Sequence, residues 1–169
     1  MRQYKPRGVQ GYTIPELLVI VVILGILSSI TLTSWSYFVA NQAVRQANEA
    51  VFMAMRSAQS QARTSKERWQ ASFREEDEQA FWAVHPVTVH PDDAQWIALS
   101  SAVRYDEDNS TLRRVQGARR VVFDRRNHVI GQLGRITIVH RDSSELRRCT
   151  FVSTLLGTLR QTRNEWCER

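Results

Sequence analysis

Residues 11–44 read GYTIPELLVIVVILGILSSITLTSWSYFVANQAV, and this stretch decides the fold. It holds a single charged side chain, Glu16, and no charge occurs from residue 17 to residue 44. The apolar run over residues 17–32, with its uncharged polar extension to residue 44, is long enough to cross a bilayer as a helix. The sequence therefore predicts a membrane helix that continues into a more polar segment.

The residues before the apolar run carry signals for the start of a helix. Thr13 is a candidate N-cap, and Glu16 follows three positions later, as in a capping box. Pro15 falls in the first turn, where its missing N–H is harmless. This pattern explains why a helix begins here, but it does not explain the glycine at residue 11.

The leader before the helix is basic and contains no acid. Its bases are Arg2, Lys5 and Arg7. A positive segment that precedes an apolar helix stays on the cytoplasmic side of the membrane. A general secretory signal has the same two parts, but it is cut after its apolar core, at small residues. Ser28 and Ser29 are such residues, yet the apolar pattern continues past them to Trp35, so the sequence does not favour that cleavage.

Residues 11–19, GYTIPELLV, resemble the class III signal of type IV prepilins and type II secretion pseudopilins. That signal has a glycine, an aromatic residue and a glutamate at the fifth mature position, here Gly11, Tyr12 and Glu16. The resemblance implies cleavage after Gly11 by a prepilin peptidase and methylation of the new amino group on Tyr12. It also implies that Glu16 is an assembly residue, which pairs in a filament with the Tyr12 ammonium of a neighbouring subunit.

The same resemblance implies a location and a set of partners. One helix would hold the chain in the bacterial inner membrane with its head in the periplasm, and the subunit would then enter a pilus or pseudopilus. Its partners would be other pilin or pseudopilin subunits, the prepilin peptidase and the inner-membrane assembly platform. The implied domains are a leader (1–11), a transmembrane and assembly half-helix (12–43), and a periplasmic half-helix with a β-rich head (44–169).

Beyond the uncharged stretch, the helix becomes amphipathic. Apolar residues recur at spacings of three and four, at Val44, Ala47, Val51, Met55, Ala58 and Ala62. This stripe predicts packing of the helix against a sheet of its own subunit. Strands are then predicted from period-two patterns and turn residues, over residues 69–73, 81–84, 119–124, 136–140, 149–153 and 158–160. A long N-terminal helix on an antiparallel β head is an α+β fold.

The C-terminal third resembles the GspH/FimT subgroup of minor pilins and pseudopilins. The residues that carry this resemblance are the hairpin FDRRN at 123–127, Cys149, Val152, Ser153, Gly157, Arg160, Arg163 and Cys167. Asn127 stands where the subgroup has a turn glycine, and asparagine can adopt the same left-handed conformation. The resemblance implies a minor subunit, at or near the tip of a pilus or pseudopilus.

The chain has two cysteines, Cys149 and Cys167. In an exported domain we expect them to form a disulfide that closes the last strands. The alternative is two unrelated reduced thiols, which would suit a cytosolic protein better. The membrane signal at the N-terminus favours the disulfide.

A basic C-terminal region raises the alternative that the subunit binds DNA during natural transformation. Its candidate residues are Arg147, Arg148, Arg160 and Arg163, with Trp166 available to stack on a base. Nearby acids at residues 145, 165 and 168 weaken the local field, so a solvated, salt-bridged surface is the favoured interpretation and nucleic acid the less favoured partner.

No pattern in the sequence indicates an enzyme or a cofactor site. There is no nucleophile elbow and no phosphate loop. The acidic cluster at residues 75–78 matches no calcium loop and is interpreted as a solvated hairpin tip. His85 and His90, each followed by proline, are interpreted as structural loop residues and not as metal ligands.

Overall fold

The computed structural model describes residues 11–168, apart from the side chains of residues 29–34. The leader prediction for residues 1–10 therefore lies outside the described residues, as does Arg169. The chain divides into two compact units, Met1–Phe38 and Val39–Arg169.

One long helix, α1 (Ile14–Ser65), begins where the sequence predicts. The residue before it is Thr13, whose carbonyl oxygen accepts a hydrogen bond from the Leu17 N–H at 3.1 Å. The helix ends at Ser65, and Lys66 follows with a left-handed φ of 61°. The Ser65 hydroxyl accepts a hydrogen bond from the Trp69 indole at 2.7 Å, which fixes the turn from the helix into the first strand.

In the described part of the second unit, ten strands follow the helix. They are β1 (Trp69–Glu76), β2 (Gln79–Pro86), β3 (Ile97–Ala98), β4 (Val103–Tyr105), β5 (Arg114–Val115), β6 (Ala118–Phe123), β7 (Val129–Ile130), β8 (Arg135–His140), β9 (Ser143–Val152) and β10 (Leu159–Arg163). Two short 3₁₀ helices, Pro91–Asp93 and Asn164–Cys167, complete the unit.

The strands form two antiparallel sheets. The first has the order β3-β2-β1-β6-β5, with β7 paired to β6, and the second has the order β10-β9-β8-β4. Within the described residues, all strand pairs are antiparallel. A long N-terminal helix packed on antiparallel sheets confirms the predicted α+β fold class.

The predicted apolar stripe of α1 is the helix side of the core. All six of its residues are buried, at 3% exposure or less: Val44, Ala47, Val51, Met55, Ala58 and Ala62. They pack with apolar side chains of both sheets, including Phe73, Phe123 and Ile136. The three alanines leave room for the sheets to approach the helix closely, as their small volume predicts.

Two buried polar side chains of α1 tie the helix to the second sheet and its last turn. Asn48 accepts a hydrogen bond from the Thr150 hydroxyl in β9, at 3.1 Å. The Gln59 amide donates to the Gly157 carbonyl oxygen at 2.6 Å. Buried polar groups are costly unless they are paired, so these contacts fix the position of the helix within the unit.

Several strand boundaries differ from those predicted. The pair His85 and Pro86 ends strand β2 and does not form a loop. Strand β9 begins at Ser143, six residues before the predicted strand start at residue 149. Strands β3, β4, β5 and β7 were not predicted, since two or three residues are too few to show a period-two pattern.

Gly157 occupies a position that no side chain fits. Its φ is +78°, and a Cβ built there would overlap the Asn127 carbonyl oxygen and lie 2.6 Å from the Gln59 amide nitrogen. Asn127 itself has a left-handed φ of 65°, the conformation that the sequence predicted for it. The two turns thus meet at a point where only glycine leaves enough space.

Replacing Gly157 with alanine is expected to destabilise the fold by about 2–4 kcal/mol. The backbone strain accounts for about 1 kcal/mol, and the displaced Gln59 hydrogen bond for about 1–3 kcal/mol more. Gly117→Ala is the matched control, because Gly117 has a similar φ of +80° but nothing within 4 Å of a built Cβ. Urea unfolding of the three chains measures both effects, and equal losses for the two variants would contradict the steric explanation.

Candidate functional site

The N-terminal part of α1 exposes an apolar surface. From Tyr12 to Leu27, the large apolar side chains are between 39% (Ile20) and 79% (Ile14) exposed. The exposed residues are Tyr12, Ile14, Leu17, Leu18, Val19, Ile20, Val21, Val22, Ile23, Leu24, Ile26 and Leu27. Twelve large exposed apolar side chains along one stretch of helix are unusual for a monomeric soluble protein, and they mark an interface with protein or lipid.

Glu16 lies in the first turn of α1, at the edge of this apolar surface. A carboxylate near the helix N-terminus is favoured by the helix dipole. Within the part of the chain that the structure describes, no basic group lies within 4.0 Å of it. Glu16 is therefore an acid among apolar side chains, and its pairing in a buried environment would need a cation from elsewhere.

The described residues contain no helical segment that is long and apolar enough to cross a membrane. The predicted membrane segment includes residues 29–34, whose side chains lie outside the described part of the chain.

The end of the second unit is closed by a disulfide. Cys149 in β9 and Cys167 in the last 3₁₀ helix are bonded, with their Cα atoms 5.7 Å apart and both side chains fully buried. A crosslink over 18 residues of separation stabilises a fold by about 3 kcal/mol. The bond holds the C-terminal segment against the edge formed by β9 and β10.

The four arginines predicted as one patch lie on two faces of the second sheet. Successive side chains of a strand point to opposite faces, so the neighbours Arg147 and Arg148 in β9 diverge. In the register of the sheet, Arg163 is opposite Arg148, whereas Arg160 is opposite Phe151. The pair Arg148 and Arg163 therefore shares one face, and Arg147 and Arg160 share the other.

The face with Arg148 and Arg163 is turned toward α1. Thr150 lies on this face, two residues from Arg148, and its hydroxyl reaches Asn48 of the helix. Here the helix contributes a third arginine, Arg45, which the sequence analysis did not connect with the others. The three side chains line one open groove of about 510 Å³, together with Asn48, Glu49, Gln161 and Thr162.

The groove is electropositive. Burial lowers the pKa of Arg148, and the positive charges of Arg45 and Arg163 lower it further. Glu49 is the acid in the lining, and its carboxylate accepts a hydrogen bond from the Gln161 amide at 3.2 Å. Three cations and one anion leave a surplus of positive charge in a confined space, which suits an anionic ligand.

On the opposite face, Arg147 is paired with an acidic residue. Arg147 forms a salt bridge with Glu168 at 2.7 Å, and its guanidinium also donates to the Ser144 carbonyl oxygen. Trp166 is largely exposed at 67%, near the end of the chain. The paired Arg147 contributes less to the attraction of an anion than an unpaired arginine does.

The candidate histidine and acidic residues serve the fold. His85 is buried, and its ring lies 3.1 Å from the Ser72 hydroxyl and 3.2 Å from the Gln70 amide nitrogen. Burial is the main cause that lowers the pKa of His85. Glu75 of the acidic cluster accepts a hydrogen bond from the Tyr105 N–H at 3.1 Å. Over residues 11–168, no three His, Cys, Asp or Glu side chains are grouped to hold a metal ion.

Comparison with solved structures identifies the fold. Two crystal structures of the type IV minor pilin FimU from Pseudomonas aeruginosa are similar to this chain, with TM-scores of 0.53 and 0.56. The alignments cover 73% and 77% of this chain and 98% of FimU, at 8% sequence identity. No protein-family model matches the sequence, and no curated protein matches it either.

The comparison supports one part of the sequence interpretation and leaves another open. The chain has the type IV pilin fold, as the resemblance of residues 11–19 implied. At 8% identity the likeness concerns the fold alone, so it does not support the narrower GspH/FimT assignment.

Proposed function

We propose that this protein is a pilin-like subunit, made as a precursor, cleaved after Gly11 and assembled through α1 into a type IV pilus or a type II secretion pseudopilus. The observation that carries the proposal is the exposed apolar surface of residues 12–27 with Glu16 in its first turn. The pilin fold of the chain agrees with it. The role is structural and involves no catalysis.

The physical reason for assembly is the apolar surface itself. In the membrane before assembly, lipid tails would cover these side chains, and in a filament the helices of neighbouring subunits would cover them. Glu16 then needs a cation inside the apolar bundle, and the methylated amino group of Tyr12 in a neighbouring subunit is of the right charge. Such a pair fixes the axial register between subunits more than it adds net stability.

We further propose that the subunit is a minor one, at or near the tip. The C-terminal features of the sequence favour this role, and the similar structures are those of a minor pilin. Its low abundance would follow from a tip position, since each filament has one tip.

Presence in the filament tests the proposal. Filaments sheared from host cells and purified by sedimentation are expected to contain the mature chain, at a small molar ratio to the main subunit. Quantitative immunoblotting of the filament, membrane and soluble fractions measures this ratio. A chain found only in the soluble fraction would contradict the proposal, and a ratio near one would contradict the minor role.

DNA binding is the second candidate function, favoured by the surplus of positive charge around Arg148 and Arg163. Because the four predicted arginines lie on two faces, a bound strand would contact two of them at a time, and we expect weak, salt-dependent binding at most. Fluorescence anisotropy with a single-stranded oligonucleotide at two salt concentrations measures it. The absence of binding at the lower concentration would eliminate this function.

A further inference from the structure

The groove between α1 and the second sheet holds three arginines from distant parts of the sequence. Arg45 comes from the helix, Arg148 from β9 and Arg163 from the end of β10. Within the described residues, no acidic side chain forms a salt bridge with any of them. This sets them apart from Arg147, Arg119 and Arg141, which are all ion-paired.

Three arginines and one carboxylate, Glu49, leave an excess of positive charge in the groove, which costs free energy unless a further anion offsets it. The pKa of Arg148 is lowered for this reason, because burial and the two neighbouring cations all disfavour its charged form. Arginine keeps its charge at neutral pH nonetheless, and its planar fork of donors matches the oxygens of a phosphate group. A volume of about 510 Å³ is enough for a phosphate and the small groups attached to it.

The place of Arg45 in the sequence indicates the source of the phosphate. Arg45 is the first charged residue after the uncharged stretch of residues 17–44. If the apolar run of residues 17–32 lies in the bilayer, the helix brings Arg45 close to the membrane surface, where lipid headgroups are concentrated. Basic pockets beside membrane helices bind anionic headgroups, and each cation near an anionic surface adds to the attraction.

We propose that the groove of Arg45, Arg148 and Arg163 binds the phosphate of an anionic phospholipid headgroup while the subunit is still in the membrane. The bound headgroup would hold the head against the bilayer surface before assembly. This inference rests on the proposed function, because it needs the apolar run of residues 17–32 to be in the membrane.

The test uses the full chain in bilayer nanodiscs of phosphatidylcholine that contain a minor fraction of phosphatidylglycerol. Native mass spectrometry after release from the disc counts the lipids retained by the protein. The wild-type chain is expected to retain phosphatidylglycerol in preference to phosphatidylcholine. In the double variant R148Q/R163Q, the ratio of retained phosphatidylglycerol to phosphatidylcholine is expected to fall about tenfold or more. The reason is the loss of charge-assisted hydrogen bonds to the phosphate.

A matched control removes the same charge from the opposite face of the same strands. R147Q/R160Q is expected to retain phosphatidylglycerol as the wild type does, because neither residue lines the groove. Equal losses in both double variants would overturn the proposal in favour of general charge attraction. The single variant Arg45→Gln is also expected to weaken retention, and since Arg45 is exposed it does so without risk to the core.

Two further binding experiments distinguish a lipid headgroup from other sources of phosphate. Inorganic phosphate alone is added to the chain in neutral detergent, and a single-stranded oligonucleotide is added in parallel. Binding of either through Arg148 and Arg163, without any lipid preference, would overturn the headgroup as the ligand. A chain that enters the discs but shows no lipid preference refutes this inference alone, whereas a chain that does not enter any disc refutes the proposed function as well.

Discussion

Replacing Gly11 with alanine is expected to block maturation and leave the chain in the membrane with residues 1–11 attached. Gly11 lies outside the helix, and nothing in the described chain lies within 4 Å of a Cβ built on it. The added methyl group therefore disturbs no contact within the described residues. Any effect on processing must arise in the peptidase, whose site has to accept the residue before the cut.

The readout is the mass of the chain recovered from the membranes of the host. Wild-type chain is expected to begin at methylated Tyr12, and the G11A variant to keep its leader. Gly8→Ala is the control, because it changes a glycine of the same leader away from the junction. Normal maturation of G11A, or a block of equal size in G8A, would contradict cleavage after Gly11.

Replacing Glu16 with alanine is expected to abolish assembly while leaving maturation intact. In the proposed filament, the Tyr12 ammonium of the neighbouring subunit would then be buried without its partner. Breaking a buried ion pair in this way costs about 3–5 kcal/mol, which corresponds to a loss of about a hundredfold or more in incorporation. The stability of the free subunit is not expected to fall by a comparable amount, since Glu16 has no salt bridge within the described residues.

The amount of chain in sheared filaments, relative to the amount in membranes, measures the effect. Glu16→Gln keeps the side-chain shape and removes the charge. Its incorporation into filaments is therefore expected to fall nearly as far as that of Glu16→Ala. Glu67→Ala is the control, because Glu67 is also exposed but lies after the end of α1. Wild-type incorporation of the Glu16 variants would show that this carboxylate does not pair between subunits.

The sequence predicts the helical part of the fold well, because its signals are long and periodic. The six-residue stripe from Val44 to Ala62 is buried as its spacing predicts, and the helix begins directly after Thr13. The longer strands are found near the predicted places. The short strands β4 and β5 are held by their partners in the sheets, and such tertiary pairing leaves no local pattern to read.

The basic surface shows where sequence proximity misleads. Arg147 and Arg148 are neighbours in the chain, but a strand sends them to opposite faces, and the period-two rule could have separated them. The third member of the groove, Arg45, is about a hundred residues away in the sequence, so only the packing of β9 against the helix reveals it. Contacts such as that of Gly157 with Asn127 are likewise tertiary, and nothing local predicts them.

The most direct test of the central claim is the intact mass of the chain in filaments purified from its host. Our account predicts one main species that begins at Tyr12, carries one additional methyl group and retains the entire helix α1. A species that still contains residues 1–11, or one cut after the apolar run so that the helix is lost, would contradict it.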